Sequence, residues 1–273
     1  MLEAYRFPRY WWGVNGTDLF PPEFSLVDLL NQQVFSPEIG ALLWALLSHR
    51  ASMMVVGGYQ SGSGKTTTLT ALTACLPADT ELVFTRGREE DFSWASKTPE
   101  SSYVLVNEFS DHTSRYLWGR SAAEVFHLAQ KGFSFAGTMH ALSIDEVIGN
   151  IQSPPVSIPG DVLAATLPLV AMQNVYFEGD TLKRRLISLY WLYPTPVGPN
   201  GLGIKSLVAW DPRNDRWTVF SSPQTWDQLA EWANVPSTSF QNDVQHRAQY
   251  LEDLADSGIT DYDDVRAALL KYA

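Results

Sequence analysis

Apolar and polar positions along the chain follow one pattern up to about residue 151 and another after residue 168. In the first part, runs rich in Val, Met, Leu and Phe at 52–59, 81–85, 103–108 and 133–140 read as buried strands. Helical spacing fills the intervals at 64–76 (closed by Pro77), 120–130 and 144–151. Strands alternating with helices predict a mainly parallel sheet covered on both faces. Beyond that the alternation stops. Runs at 169–177, 185–193, 205–211 and 216–220 read as strands joined by tight turns, two of them at Glu178-Gly179-Asp180 and Pro212-Arg213-Asn214-Asp215. They predict an antiparallel extension. Ahead of the first strand, Ser36-Pro37-Glu38 supplies an N-cap, a proline at the first helical position and an early acid, so a helix runs to about residue 48.

After residue 220 apolar residues recur at Trp226, Leu229 and Trp232, then Tyr250, Leu251 and Leu254, and finally Val265, Leu269 and Tyr272. That spacing predicts three short amphipathic helices. Three segments follow: 1–50 as a lead-in, 51–220 as the α/β domain, and 221–273 as a helical appendage. The chain carries a formal charge of −11, and nine acids stand against Arg247, Arg266 and Lys271 after Phe220. The appendage is therefore expected as an acidic, solvated unit.

The acidity argues against a general binder of the phosphate backbone, so direct nucleic-acid binding is not expected, although a local basic groove is compatible with it. Apolar residues make up 45% of the sequence, which excludes disorder across the chain. The single cysteine, Cys75, rules out an intrachain disulfide and a Cys-rich zinc site. The start has no positively charged segment followed by an apolar one, and the longest apolar stretch, 39–47, is far below the roughly 20 residues of a membrane span. The expected location is cytoplasmic.

The sharpest chemical signal is Val55-Val56-Gly57-Gly58-Tyr59-Gln60-Ser61-Gly62-Ser63-Gly64-Lys65-Thr66-Thr67-Thr68. A buried strand enters a loop of small residues and leaves as a helix opening on Lys-Thr. Phosphates require closely spaced backbone N–H donors at a positive helix end, and only small residues let the backbone curl that tightly. Ser61, Gly62, Ser63, Gly64, Lys65, Thr66 and Thr67 are the candidate nucleotide-binding residues. Lys65 would reach the β and γ phosphates, and the Thr66 hydroxyl would ligate Mg²⁺, so ATP and Mg²⁺ are the expected cofactors. The strict pattern has glycine where this chain has Tyr59. That ring is expected to turn away from the phosphates and pack on apolar neighbours.

Hydrolysis needs a carboxylate on a neighbouring strand to orient or deprotonate water. Glu108, at the end of the run Tyr103-Val104-Leu105-Val106-Asn107, is the candidate, and His140 ends the next strand. Glu89, Glu90 and Asp91 read as a solvated loop.

These motifs resemble the ATPases of type II and type IV secretion systems, especially the branch of archaeal-type pilus, archaellum and tight-adherence motors. The loop YQSGSGKTTTLTAL is similar to that family's GPTGSGKTTTL. Val104-Leu105-Val106-Asn107-Glu108-Phe109-Ser110-Asp111 is similar to its IIVGEVRG strand, and Ala136-Gly137-Thr138-Met139-His140-Ala141 to its STIHADS box. Phe24-Ser25-Leu26-Val27-Asp28-Leu29-Leu30 upstream also resembles the family, as do Trp210-Asp211-Pro212 and Gly258-Ile259-Thr260-Asp261-Tyr262 downstream. The resemblance implies a RecA-like P-loop fold and an ATP-hydrolysing motor subunit, with catalytic roles for Glu108 and His140. It implies partners in a membrane platform protein or a related ATPase, and a peripheral place at the inner face of the membrane.

The chain departs from the family at defined positions. The family's acidic box, SIEDTRE, aligns with Val83-Phe84-Thr85-Arg86-Gly87-Arg88-Glu89, so its Glu-Asp pair is Thr85-Arg86 here. Ser110 stands where the family has an arginine, and the family's arginine-bearing segment before the Glu strand is shorter here. The sequence thus reads as a shortened, partly degenerate member that lacks the family's N-terminal domain, and weak assembly is expected. A nucleotide-binding regulatory or structural paralogue with little hydrolysis stays open beside the motor. A small-molecule P-loop kinase is a further reading, short of lid arginines between His140 and Arg184. A GTPase would need an Asn-Lys-x-Asp motif that this chain does not contain.

Overall fold

A computed structural model gives the fold and describes residues 5–12, 18–59 and 62–272. In chain order the elements are β1 (Phe7–Pro8), β2 (Leu19–Phe20), α1 (Leu26–Asn31), α2 (Pro37–Ser48), β3 (Met53–Gly57), α3 (Lys65–Leu72), β4 (Glu81–Phe84), β5 (Ser102–Val106), α4 (Arg120–Ala129), β6 (Ser134–His140), α5 (Ile144–Gln152) and α6 (Gly160–Thr166). There follow β7 (Leu169–Glu178), β8 (Thr181–Pro194), β9 (Leu202–Asp211), β10 (Arg216–Val219), α7 (Pro223–Trp232), α8 (Ser237–Asp256) and α9 (Tyr262–Tyr272). The expected α/β class is observed: a mainly parallel sheet, an antiparallel extension after it and a helical tail.

The main sheet has eight strands in the order β10-β9-β8-β7-β3-β6-β5-β4. Neighbours from β7 to β4 pair in parallel, and β7 to β10 pair antiparallel. The strand that leads into the phosphate loop, β3, is therefore flanked on both sides by parallel partners. β6 lies between it and β5, which puts the ends of β3, β6 and β5 side by side, where His140 and Glu108 follow.

Both faces of these strands are buried, as the near-continuous apolar runs require. Met53 and Val55 of β3, with Tyr103 and Leu105 of β5, face one core, while Met54, Val56, Val104 and Val106 face the other. Helices α2 and α3 cover the first face, and α4 and α6 the second. Local signals set the helix starts. Ser25 and Asp28 form a reciprocal capping box on α1, Pro37 opens α2, and the Ser143 hydroxyl accepts from the Glu146 amide at 3.1 Å at the start of α5.

The tail departs from the expected solvated appendage. Phe240, Val244, Leu251 and Leu254 of α8, with Val265 and Leu269 of α9, lie in the same core as Ile39 and Leu43 of α2. Leu251 sits over Gly40, where an added Cβ would come within 3.2 Å of Cδ1, so the absence of a side chain brings α8 close to α2. Arg266 donates from Nη1 to the carbonyls of Thr73, Ala74 and Leu76 at 3.1–3.3 Å, binding α9 to the chain that leaves α3. The acids remain on the outer face. α8 is also longer than the short helix expected, because its first half shows only Phe240 and Val244 to the core.

Candidate functional site

The phosphate loop is built by glycines at the positions where a side chain cannot be held. Gly62 and Gly64 both have φ of +84°, in the left-handed region. A Cβ on Gly64 would come within 2.8 Å of Gln173 Nε2 and 2.9 Å of Arg184 Cδ, whereas Gly62 faces open space. Gly64 is also the N-cap of α3 and offers no side chain to the amides of the first turn, so those donors stay available at the positive end of the helix. Ser61 lies outside the described residues. Gly62, Ser63, Gly64, Lys65, Thr66 and Thr67 together line a cavity of about 330 Å³, with Glu108, Asn107 and Tyr116 on its other wall.

Lys65 opens α3 and is buried. Its Nζ donates to His140 Nε2 at 3.2 Å. Desolvation pushes its ammonium below the usual lysine range, and the Glu108 charge works in the opposite direction. His140 stands opposite Gly57 in the β3–β6 register. Its Nδ1 lies 2.8 Å from the Gly58 carbonyl, which can only accept, so the ring proton sits on Nδ1 and Nε2 keeps its lone pair.

Glu108, just past β5, is 6% exposed. One carboxylate oxygen, Oε2, lies 3.6 Å from His140 Nε2, and the other, Oε1, is buried with no hydrogen-bond partner. An unpartnered buried carboxylate oxygen is costly in isolation. It fits a site whose water, metal or phosphate ligands complete the group. The structure thus brings Glu108, His140 and Lys65 together and sets Thr66 on the same cavity. Neither Glu89, Glu90 nor Asp91 lines it. Glu90 instead accepts from the Arg86 and Phe92 amides and the Trp94 indole at 2.7–2.9 Å.

Tyr59 points away from the cavity, but it does not pack on apolar neighbours. Its ring stacks on the His140 imidazole, with centroids 5.9 Å apart and planes 9° from parallel, and its hydroxyl donates to Glu146. The bond to Glu146 holds the phenol above its usual range and the carboxyl below its own. The ring is 59% exposed, because β3 has already ended and only the imidazole in register beside it is within reach.

Two further side chains shape the loop. Gln173 of β7, 2% exposed, donates from Nε2 to the Ser63 carbonyl at 2.7 Å and accepts from Thr68 Oγ1 at 2.8 Å. Arg184 of β8 donates from Nε to the Gly62 carbonyl at 2.9 Å. The sequence signal for Gln173 is a lone amide inside the apolar run Leu169-Val170-Ala171-Met172; for Arg184 there is none, since it sits in a basic triplet near a hairpin tip.

No family model matches the chain. It is 23% identical over 272 aligned positions to the uncharacterized protein MJ0900 of Methanocaldococcus jannaschii, covering 89% of this chain and 47% of that protein. The chain spans about half the length of that relative. It is likewise 23% identical over 246 positions to the uncharacterized protein MJ1287 of the same organism, covering 83% of this chain and 90% of that one. Among solved structures, the VirB11 ATPase of the Brucella suis type IV secretion system, in complex with sulphate, aligns at a TM-score of 0.41 with 17% identity over 59% of each chain. The Legionella pneumophila ATPase DotB aligns at a TM-score of 0.41 with 11% identity, over 85% of this chain and 60% of that one. The Yersinia pseudotuberculosis ATPase DotB gives a TM-score of 0.42 and 14% identity over 89% and 63%. Among the described residues, no helix is long and apolar enough to cross a membrane.

Proposed function

We propose that this chain binds ATP with Mg²⁺ in the cavity of the phosphate loop and acts as a motor-type ATPase subunit of a type II or type IV secretion or pilus assembly machine. The observation that carries the nucleotide reading is the convergence of a buried lysine, free helix-end amides and an unpartnered carboxylate oxygen on one cavity. The nucleotide supplies the transferable phosphoryl group, and its metal neutralises charge on the phosphates. The amides of the Gly62–Thr67 loop and Lys65 bind phosphate oxygens, and the Thr66 hydroxyl takes one metal position. Occupation of the loop gives the Lys65 ammonium an anionic partner and draws it from His140. Glu108, through Oε1, accepts a proton of the attacking water and orients it. His140, fixed by the Gly58 carbonyl, presents Nε2 to the same space.

The alternative, a nucleotide-binding regulatory or structural paralogue, is favoured by one feature. Thr85 and Arg86 occupy the strand end where the resembled family has a Glu-Asp pair, and Ser110 stands in place of an arginine. The machine, its membrane platform or related ATPase partner, a cytoplasmic location at the membrane's inner face, and the absence of direct nucleic-acid binding belong to the motor reading. Calorimetry with Mg²⁺-ATP tests the site: Lys65→Ala should abolish binding that the wild type shows, and equal binding by both would overturn the assignment. Steady-state turnover that vanishes in Glu108→Gln supports the motor. Turnover at background in the wild type, with binding intact, supports the paralogue.

A further inference from the structure

A second and larger cavity, of about 900 Å³, opens beside the phosphate site and shares Thr66, Thr67, Asn107 and Tyr116 with it. One wall is the aromatic run Tyr10, Trp11 and Trp12, and the opposite walls bring Arg86 and Arg115 to the same space. In a chain of net charge −11, no Asp or Glu is among the described residues that line this cavity. The nearest acid of the Arg86 turn, Glu90, is turned back onto the Arg86 and Phe92 amides and the Trp94 indole.

The cavity is built by specific contacts. Gly87 has φ of +70°, and a Cβ there would come within 2.4 Å of the Ser114 carbonyl and the Arg115 backbone. The missing side chain lets the 113–116 loop lie directly on the Arg86 turn, where the Arg88 amide donates to the Ser114 carbonyl at 2.8 Å and Arg88 Nη2 to the Asp111 carbonyl at 2.9 Å. Asn107 donates to the Trp11 carbonyl, which ties the aromatic wall to the strand that leads to Glu108. Trp11 itself is 1% exposed and rests edge-on against Phe84, with centroids 5.6 Å apart.

Aromatic walls with a few convergent cationic groups recognise a flat ring that bears an anion: the ring stacks, and guanidinium binds the anion in a planar fork. We propose that this cavity is a second ligand site, distinct from the phosphate loop, for a small aromatic anion such as an aryl phosphate or aryl carboxylate. The size suits one such molecule, since pockets of roughly 300–1,000 Å³ bury most of a small ligand. The site needs no nucleotide and goes beyond the ATPase reading.

The test is a fluorine NMR titration of the full chain with 4-fluorophenyl phosphate, run on wild type, Lys65→Ala and Arg86→Glu. Arg86 is exposed, so its reversal should leave the melting temperature in place. Wild type and Lys65→Ala should bind the probe alike, Arg86→Glu at least tenfold more weakly, and neutral 4-fluorophenol at least tenfold more weakly than the phosphate. Absence of binding by the wild type overturns the proposal. So does binding that Lys65→Ala abolishes and Arg86→Glu spares, which would put the probe on the phosphate loop. A single-stranded oligonucleotide that binds through Arg86 where the aryl phosphate does not would also overturn it, in favour of nucleic acid. None of these outcomes depends on whether ATP binds, so failure here is separable from failure of the ATPase reading.

Discussion

The side-chain amide of Gln173 donates to the Ser63 carbonyl at 2.7 Å and accepts from the Thr68 hydroxyl at 2.8 Å, joining the phosphate loop to the helix that follows it. Both bonds are buried, and Gln173 stands on β7, the strand beside the one that enters the loop. The sheet therefore holds the loop in shape before any ligand arrives. Gln173→Leu leaves a carbonyl and a hydroxyl without partners in an apolar setting, each at a cost of about 1–3 kcal/mol. Urea unfolding should show a loss of about 2–4 kcal/mol, the lower values reflecting relaxation of the Thr68 hydroxyl toward its own helix. Unchanged stability would mean that water or rearrangement satisfies both groups.

Glu108 supplies the sharpest separation of binding from chemistry. Glu108→Gln keeps the shape of the side chain and removes its ability to take a proton. On the motor reading, turnover should fall by about 10²–10⁴-fold, the usual scale of general-base catalysis. ATP affinity should hold or rise, because a negative charge near the phosphates is gone. A coupled phosphate-release assay beside calorimetry measures both.

Asp215 locks the antiparallel extension. Its carboxylate accepts from Arg185 Nε and Nη2 at 2.8 Å, from the Trp210 indole at 2.9 Å and from the Tyr176 hydroxyl at 3.0 Å, and Arg185 is 1% exposed. The Arg185 bond, with the other two donors, holds the Asp215 carboxyl well below its ordinary range. A depressed carboxyl contributes stability that is full above the unfolded value, roughly 3.9, and is lost as pH falls through the folded value. Asp215→Asn should therefore cost about 3 kcal/mol near neutrality, the scale for stranding a buried partner. The difference between mutant and wild type should shrink below about pH 4. Denaturation curves at pH 7 and pH 3 check the sign; a difference that grows in acid would contradict the ion pair.

The tail is part of the folded core, and Leu251 tests it. The residue is fully buried between α8 and α2. Leu251→Ala should cost about 2.7–5 kcal/mol. Calorimetry should show the whole protein melting earlier in one transition. A separate low-temperature transition, with the main one unmoved, would mean that the helices unfold as an independent unit.

Much of this architecture was legible in the residues because it rests on local rules. A buried parallel strand needs an unbroken apolar run, a helix start needs Ser25 or Pro37, and a phosphate loop needs Gly62 and Gly64 where φ is positive. Placing Glu108 and His140 near the loop also followed from pattern, since strand ends in a parallel sheet share one edge. What the pattern could not carry was the fate of side chains that answer to distant partners. Gln173 is an odd amide in an apolar run until Ser63 and Thr68, more than a hundred positions away in the chain, are seen against it. Tyr59 looked like a ring in need of apolar company, and its neighbour is the imidazole that the β3–β6 register puts beside it.

The sequence by itself determined the class of fold, the loop that curls around phosphate and the acidic character of the tail, because each is set by spacing and residue type along a few consecutive positions. Only the tertiary structure decided that the acidic helices bury their other face on α2. A count of charges describes the outer surface and says nothing of which helix covers the inner one. Tertiary structure alone also joined Arg86, Arg115 and the Tyr10–Trp12 run into one cavity. Those residues lie on three separate stretches of chain. What brings them together is the space left by the missing side chain at Gly87 and the bond from Asn107 to Trp11, contacts that exist only once the strands have aligned.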